Sequence, residues 1–521
     1  MKVFSGTIIT VDEKRNVFKY LVEDLGRIIY VGNDLPEKYK GIEVIDIKGK
    51  ALMPTFADTH SHFTSFAMLA TTIKLDKAKS NKDILEILKE EDKKYPEGKT
   101  LYCNGASPKV IEGKFIEKKD IDSVVPSRTV VIISSDGHTA ILNENALKKM
   151  PNKLKNIRGY DYETGIMGQE AFYEVVSHSL KVIKIKDALQ AFQDALDLYV
   201  QNGIGIIGVE CGMGFPMDID IEIMRWLYQG QKNGAQVRLF IQSFDPKKAL
   251  KRKIPRLGGC FETALDGSIT SGDAAFIEPY EGTTSDHGVL YYTDEKLYEN
   301  IKKVNNKGLQ IVMHAIGDAA VLQGTRTLKK VLDENPKLDH RHGIIHASFV
   351  TQEAMQILKD YQIQVIGQPG FIEMSKDNLS FMHSMLGDRI YSAEPHNEFV
   401  NNKINFSGSS DAPISFPNPI SWIHWLVNNP NFPHRLSVMD AMKICTYNGY
   451  YATFDEKERG SLEVGKIADM VVLSDDPLSV DPSELNSITV ERTYLSGKEF
   501  SPSKQSAVKA ILKGIFHRKA C

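Results

Sequence analysis

Apolar and polar residues alternate in two short terminal regions and gather into compact runs in the long stretch between them. Val3-Phe4-Ser5-Gly6-Thr7-Ile8-Ile9-Thr10-Val11 and Arg27-Ile28-Ile29-Tyr30-Val31-Gly32 are β-rich with period two. The texture returns in Gly465 to Leu473, in Ile488-Thr489-Val490 and in Arg492-Thr493-Tyr494-Leu495. These ends predict one small β domain, a β-sandwich, built from residues 1–51 and 460–503. Between them, apolar β runs alternate with helical stretches, the signature of a parallel α/β sheet. Strands are expected at Ile204 to Val209, Gln310 to His314, Gly343 to His346, Gln364 to Ile366 and Ile404 to Ser407. The region around 74–201 is long for one strand–helix unit and is expected to hold an insertion, with a helix from Ala188 to Val200.

The tail has helical apolar spacing in Val508, Ile511, Leu512, Ile515 and Phe516, with Lys509, Lys513, Arg518 and Lys519 opposite. It predicts a final helix within 504–521, docked on the body by its apolar face. One pattern misleads: Gly203-Ile204-Gly205-Ile206-Ile207-Gly208 matches the dinucleotide fingerprint, which must follow a strand and open a helix. Here a helix ends and a strand begins, so it reads as a turn entering a buried strand.

The length of 521 residues suits a barrel of about 250 to 400 residues plus an accessory domain. Lys+Arg 64 against Asp+Glu 67 leaves a net charge of −3, which gives no general pull toward nucleic acid or an anionic membrane. No run approaches the roughly 20 apolar residues of a membrane span. The beginning MKVFSGTIITVDEKRN turns polar early and does not read as a targeting signal. Cysteines 103, 211, 260, 445 and 521 are scattered and form no CxxC, so a disulfide framework is not expected and a reducing cytoplasm is the simplest home.

The strongest chemical signal is Met53-Pro54-Thr55-Phe56-Ala57-Asp58-Thr59-His60-Ser61-His62. Two histidines two apart at a strand end point the same way, so His60 and His62 can hold one metal together. The strand runs at Gln310 and Gly343 end in His314 and His346, and Asn405 to Asp411 ends a β run in a small-residue turn and a carboxylate. Barrel enzymes carry their functional groups at the C-terminal ends of their strands. A single histidine there is more often a hydrogen-bonded core residue than a ligand. Four in this order, with Asp411, outweigh coincidence and supply ligands for a divalent metal, zinc first, with one or two ions per chain.

These segments resemble the amidohydrolase superfamily, and within it the YtcJ-like branch that includes N-substituted formamide deformylase. The resemblance runs through Ser134 to Ala140, Leu265-Asp266-Gly267-Ser268, Glu278-Pro279-Tyr280, His314 to Asp318, Arg341 to Ala347 and Gly460 to Asp469. It implies a (β/α)8 TIM-like barrel and a hydrolase cleaving a non-peptide carbon–nitrogen bond, an amide or cyclic amide, of a small molecule by metal-activated water. Deamination of a nitrogen heterocycle at a single metal is the second reading, and a non-catalytic scaffold is a third. In the first reading His60, His62 and Asp411 hold one ion, and Asp411 also shuttles the proton. His314 and His346 hold a second ion, and His138 is the candidate donor to the developing oxyanion.

Two positions depart from the branch. It usually carries Lys shortly before the DGS turn, where this chain has Cys260-Phe261-Glu262-Thr263-Ala264-Leu265. A bridging carboxylated Lys cannot form there, and Glu262 is expected to bridge the ions directly, against the alternative that it bonds locally and the site holds one metal. Glu210 stands where an Asp is frequent; it reads first as a hydrogen-bonded strand-end acid and is held in reserve as a ligand. Neither the substrate nor the assembly follows from the sequence, and a homodimer stays open.

Overall fold

The computed structural model describes the chain except residues 70–71, 76, 96–97, 107–113, 115, 136, 181–184, 213–215, 232, 503–505 and 518. Asp136 of the Ser134 to Ala140 segment and Arg518 of the tail therefore lie outside the described residues. Eight parallel strands form the barrel: β5 (Phe56–Ser61), β11 (Ile204–Cys211), β12 (Gln236–Ile241), β13 (Arg256–Ala264), β14 (Gln310–Ala315), β15 (Gly343–His346), β16 (Gln364–Gly367) and β17 (Phe406–Gly408). Their order round the sheet runs β5-β11-β12-β13-β14-β15-β16-β17. The seam between β17 and β5 is bridged by Asp411 N donating to His60 O at 3.0 Å and Thr59 Oγ1 donating to Gly408 O at 3.0 Å. A parallel sheet is covered on both faces, so its strands are continuous apolar runs; every residue of β11 is buried. The covering helices begin at side-chain caps, as where Thr351 Oγ1 accepts from Ala354 N ahead of the helix Gln352–Asp360.

The chain ends meet in one seven-stranded mixed sheet. It contains β1 (Lys2–Ile9), β2 (Val17–Asp24), β3 (Arg27–Gly32), β4 (Val44–Pro54), β18 (Met470–Leu473), β19 (Val490–Leu495) and β20 (Lys498–Glu499). β18 pairs antiparallel with β4, which runs through Thr55 into β5 and so fixes the strand that carries His60. The insertion between β5 and β11 is a five-stranded sheet of β6 (Ile73–Lys74), β7 (Leu101–Ala106), β8 (Val130–Ser134), β9 (Ala140–Leu142) and β10 (Ile166–Met167), followed by the helix Ile185–Gln201.

The glycine motif serves packing. A Cβ at Gly205 would meet Thr55 Oγ1 at 2.3 Å, and one at Gly208 would meet Thr59 O at 2.2 Å, so these glycines let β11 lie close against β5. The tail helix, Ala507–Phe516, corrects an expectation. It docks through Ala507, Ala510 and Gly514, while Val508, Leu512, Ile515 and Phe516 are exposed. A Cβ at Gly514 would lie 1.7 Å from Trp226 O, and one at Gly230 would lie 1.8 Å from Ala510 O. At so close a helix approach only the small face fits. No described helix is long and apolar enough to cross a membrane.

Candidate metal centre

Asp58, His60 and His62 alternate along β5 and just beyond it, on the face that points into the barrel. His60 lies between two carboxylates: Nδ1 is 2.6 Å from Glu210 Oε1 and Nε2 is 3.0 Å from Asp411 Oδ1. His62 repeats the arrangement, with Nδ1 3.3 Å from Glu210 Oε2 and Nε2 3.2 Å from Asp411 Oδ1. Asp411 sits in a turn with φ +53°. That turn is pinned by Asp58, whose carboxylate accepts from Ser410 N at 2.9 Å and Ser410 Oγ at 2.6 Å.

Across the mouth, His314 and His346 face each other, Nδ1 to Nε2, at 2.9 Å. The far nitrogens fix their tautomers. His346 Nδ1 donates to Gln368 Oε1 at 2.6 Å, because Gln368 Nε2 is spent donating to Ile366 O and Ser409 Oγ. His314 Nε2 lies 3.3 Å from the carbonyl of Gly267, which can only accept. The neutral imidazoles thus present two lone pairs to one another, and either a proton or a cation must stand between them. The second acceptor near His314 is Asp266, 3.5 Å from Nε2, which also takes the N–H groups of Ala275, Ile316 and Gly317. The Leu265 to Ser268 motif therefore holds the turn after His314.

The residues present fit a divalent cation. Glu210 Oε1 and His62 Nδ1 are buried without a hydrogen-bond partner among the described residues, although His60 Nδ1 lies 2.6 Å from that oxygen. Short approaches without hydrogen-bond alignment are what groups converging on a common point produce. Among the described residues, three donor groups stand close enough to share an ion: His60, His62, Glu210 and Cys260; Cys260, His314 and His346; and His60, His346 and Asp411. The electrostatics agree. Burial opposes charge at His62, but Glu210 and Asp411 push its pKa up to about 10. Burial likewise opposes the Asp411 carboxylate and the Cys260 thiolate, yet the facing imidazoles hold both well below their usual ranges.

The sequence model of the amidohydrolase family matches residues 43–500. The chain belongs to the amidohydrolase family. YtcJ of Bacillus subtilis (strain 168) is 25% identical over 497 residues, covering 89% of this chain and 92% of that protein. N-substituted formamide deformylase of Arthrobacter pascens is 20% identical over 542 residues, covering 95% and 97%. A solved structure, an uncharacterized metal-dependent hydrolase from Pyrococcus horikoshii OT3, shares the fold with TM-score 0.73 at 22% identity, over 92% of this chain and 99% of that one.

Of the residues singled out in this amidohydrolase sequence, His60, His62, His314, His346 and Asp411 come together at the barrel mouth. His138 joins them from the insertion: its ring is 5.7 Å from that of His314, and both line one cavity of about 110 Å³. Glu262 does not join. It is exposed, and its Oε1 accepts from Phe244 N at 3.4 Å. Period two would put 260, 262 and 264 on one face. The β13–β14 register shifts between Gly259 and Ala264, however, and this bulge breaks the alternation. Cys260 turns in and Glu262 turns out. Glu210, the reserve candidate, lies in the cluster. The sequence reading passed over Cys260, Asp58 and Gln368. Cys260 is a ligand-type residue in the middle of β13 and so carries no strand-end signal; Gln368 follows β16 directly, close to the strand-end position of the histidines.

Proposed function

We propose that this enzyme is a metal-dependent hydrolase that cleaves a carbon–nitrogen bond, an amide or cyclic amide, of a neutral small molecule. The observation that carries the reading is the set of overlapping donor groups at the barrel mouth, with His62, Cys260, His314, His346 and Asp411 lining one cavity. His60 and His62 with Asp411 would hold one ion, and His314 with His346 would hold a second, zinc suiting this donor set. When bound, such ions supply Lewis-acid polarisation of a carbonyl and a lowered pKa for water. Asp411 accepts the proton of the attacking water and delivers it to the leaving nitrogen. His138 donates to the oxygen that gathers charge. Tyr173, Phe172, Phe261, Ile133, Val176 and Ile414 shape the rest of the cavity, and among the described residues no Arg or Lys lines it. Away from the metal positions a substrate carboxylate or phosphate would meet apolar and aromatic side chains, which supports an uncharged substrate bearing an apolar group.

More than one donor group also weighs against the single-metal deaminase, and the convergence of His60, His62, His314, His346 and Asp411 weighs against a non-catalytic scaffold. The test is metal content of the purified protein paired with turnover of a panel of neutral N-acyl amines, cyclic amides, carboxylate-bearing amides and amino-substituted heterocycles. Hydrolysis of the neutral amides by metal-loaded protein is expected. Ammonia release from the heterocycles alone would shift the reading to a deaminase, and failure to bind metal after supplementation would overturn it.

A further inference from the structure

Two of the donor groups at the barrel mouth meet at one atom. Cys260 Sγ lies within 4.8 Å of ligand atoms of His60, His62 and Glu210, and within the same distance of ligand atoms of His314 and His346. It is 3.4 Å from His60 Nε2 and buried. Its backbone is held firmly: Cys260 N donates to Glu210 Oε2 at 3.2 Å and to Gln242 Oε1 at 3.1 Å. The two preceding residues are glycines for a steric reason. At φ +125° and +137°, a Cβ on Gly258 would meet Val312 O at 2.0 Å, and one on Gly259 would meet the Glu210 carboxyl at 2.6 Å. The local backbone that places Cys260 inside is thus built for it.

Two cations about 3.5–4 Å apart repel and need a shared anion between them. Two metal–sulfur bonds of about 2.3 Å meeting at one atom span that separation. Glu262 faces solvent and cannot take the place. Resting on the two-cation reading above, we propose that Cys260 Sγ, as the thiolate, is the ligand shared by both ions. On loading, the thiol proton leaves to solvent and the sulfur forms one bond to each ion. The site so made is a sulfur-bridged binuclear centre that assembles without bicarbonate.

The experiment uses the full chain, stripped with a chelator and titrated with cobalt(II) alone. A near-ultraviolet sulfur-to-cobalt charge-transfer band is expected to grow through both equivalents. It should be lost in Cys260→Ser, which should hold one ion fewer, and kept in Cys521→Ser. Added bicarbonate should leave loading unchanged. Two ions bound without the band, or a band complete at the first equivalent, would overturn the bridge while leaving the two-cation reading intact; no cobalt bound would overturn both. Should Cys260→Ser fail to fold, X-ray absorption of the zinc-loaded parent decides. A sulfur neighbour at about 2.3 Å is expected, and nitrogen and oxygen neighbours alone would refute the proposal.

Discussion

The two halves of the barrel mouth are built from different chemistry. On one side, His60 and His62 lie against the carboxylates of Glu210 and Asp411, so the pocket is rich in negative charge. On the other, His314 and His346 are steered at shortest range by neutral acceptors, the Gly267 carbonyl and the Gln368 amide, with a single carboxylate, Asp266, 3.5 Å from His314 Nε2 on the side away from His346. The first half can neutralise a cation by itself. The second offers two imidazole lone pairs, and its one carboxylate, Asp266, lies behind His314 and is shared among three backbone N–H groups, so it supplies less charge to an ion. A first ion should therefore bind the acidic half more tightly, and the other half should be the one that empties first under a chelator.

The largest effect that tests this contrast comes from the acidic half. His60→Ala or His62→Ala is expected to remove most bound metal and nearly all turnover. Circular dichroism should stay that of the parent, because the barrel core is apolar and does not depend on the ion. Parent-level metal content in these variants would show that the acidic half is not the tighter one. Next in size, Asp411→Asn should lower turnover by about 10²- to 10⁴-fold while changing KM little, since an amide can still coordinate weakly but cannot accept a proton. A rate close to the parent's would remove Asp411 from proton transfer.

Smaller effects separate the halves through the groups that orient them. Gln368→Leu takes away the acceptor that fixes the His346 tautomer, and Asp58→Asn weakens the anchor of the Asp411 turn. Outer partners of this kind typically cost about 10- to 100-fold in affinity or activity. The first change should weaken the second equivalent of metal and the second change the first equivalent, read by competition with a chelator. The opposite pattern would mean that the halves have been assigned the wrong way round.

The smallest effect contrasts His346 with His342, the residue just before the same strand. His342 Nδ1 accepts from Ile311 N at 3.1 Å and Nε2 lies 3.1 Å from Asn305 Oδ1, so it has no lone pair left for a metal. Burial, with nearby His340, holds its pKa well below the usual 6.5. The unfolded chain takes up this proton more readily than the folded one, so the stability His342 contributes is complete above pH 6.5 and is lost as pH falls through its folded value. Thermal unfolding across that window should show a shallower acid decline in His342→Gln than in the parent. Parallel curves would contradict the assignment.

Much of this was legible along the chain because strands have period two. His60 and His62 share a face on that ground alone, and the apolar runs ending in His314 and His346 announce strand ends of a parallel barrel. Asp411 was readable from the small-residue turn before it. Cys260 was not, because the same alternation assigns Glu262 to its face. Only the bulge beyond the paired glycines, a tertiary fit against Val312 and Glu210, separates them. Asp58 and Gln368 act through hydrogen bonds to residues far along the chain, which no local pattern encodes. The tail helix misled for a related reason: its strongest apolar stripe faces out because the helix beneath it admits only Ala and Gly side chains.

The central claim is a pair of metal positions, one in each half. Anomalous diffraction at the zinc edge from a zinc-soaked crystal tests it most directly. Two peaks about 3.5–4 Å apart are expected, one beside His60, His62 and Asp411 and the other beside His314 and His346. A single peak, or peaks away from these side chains, would contradict the account.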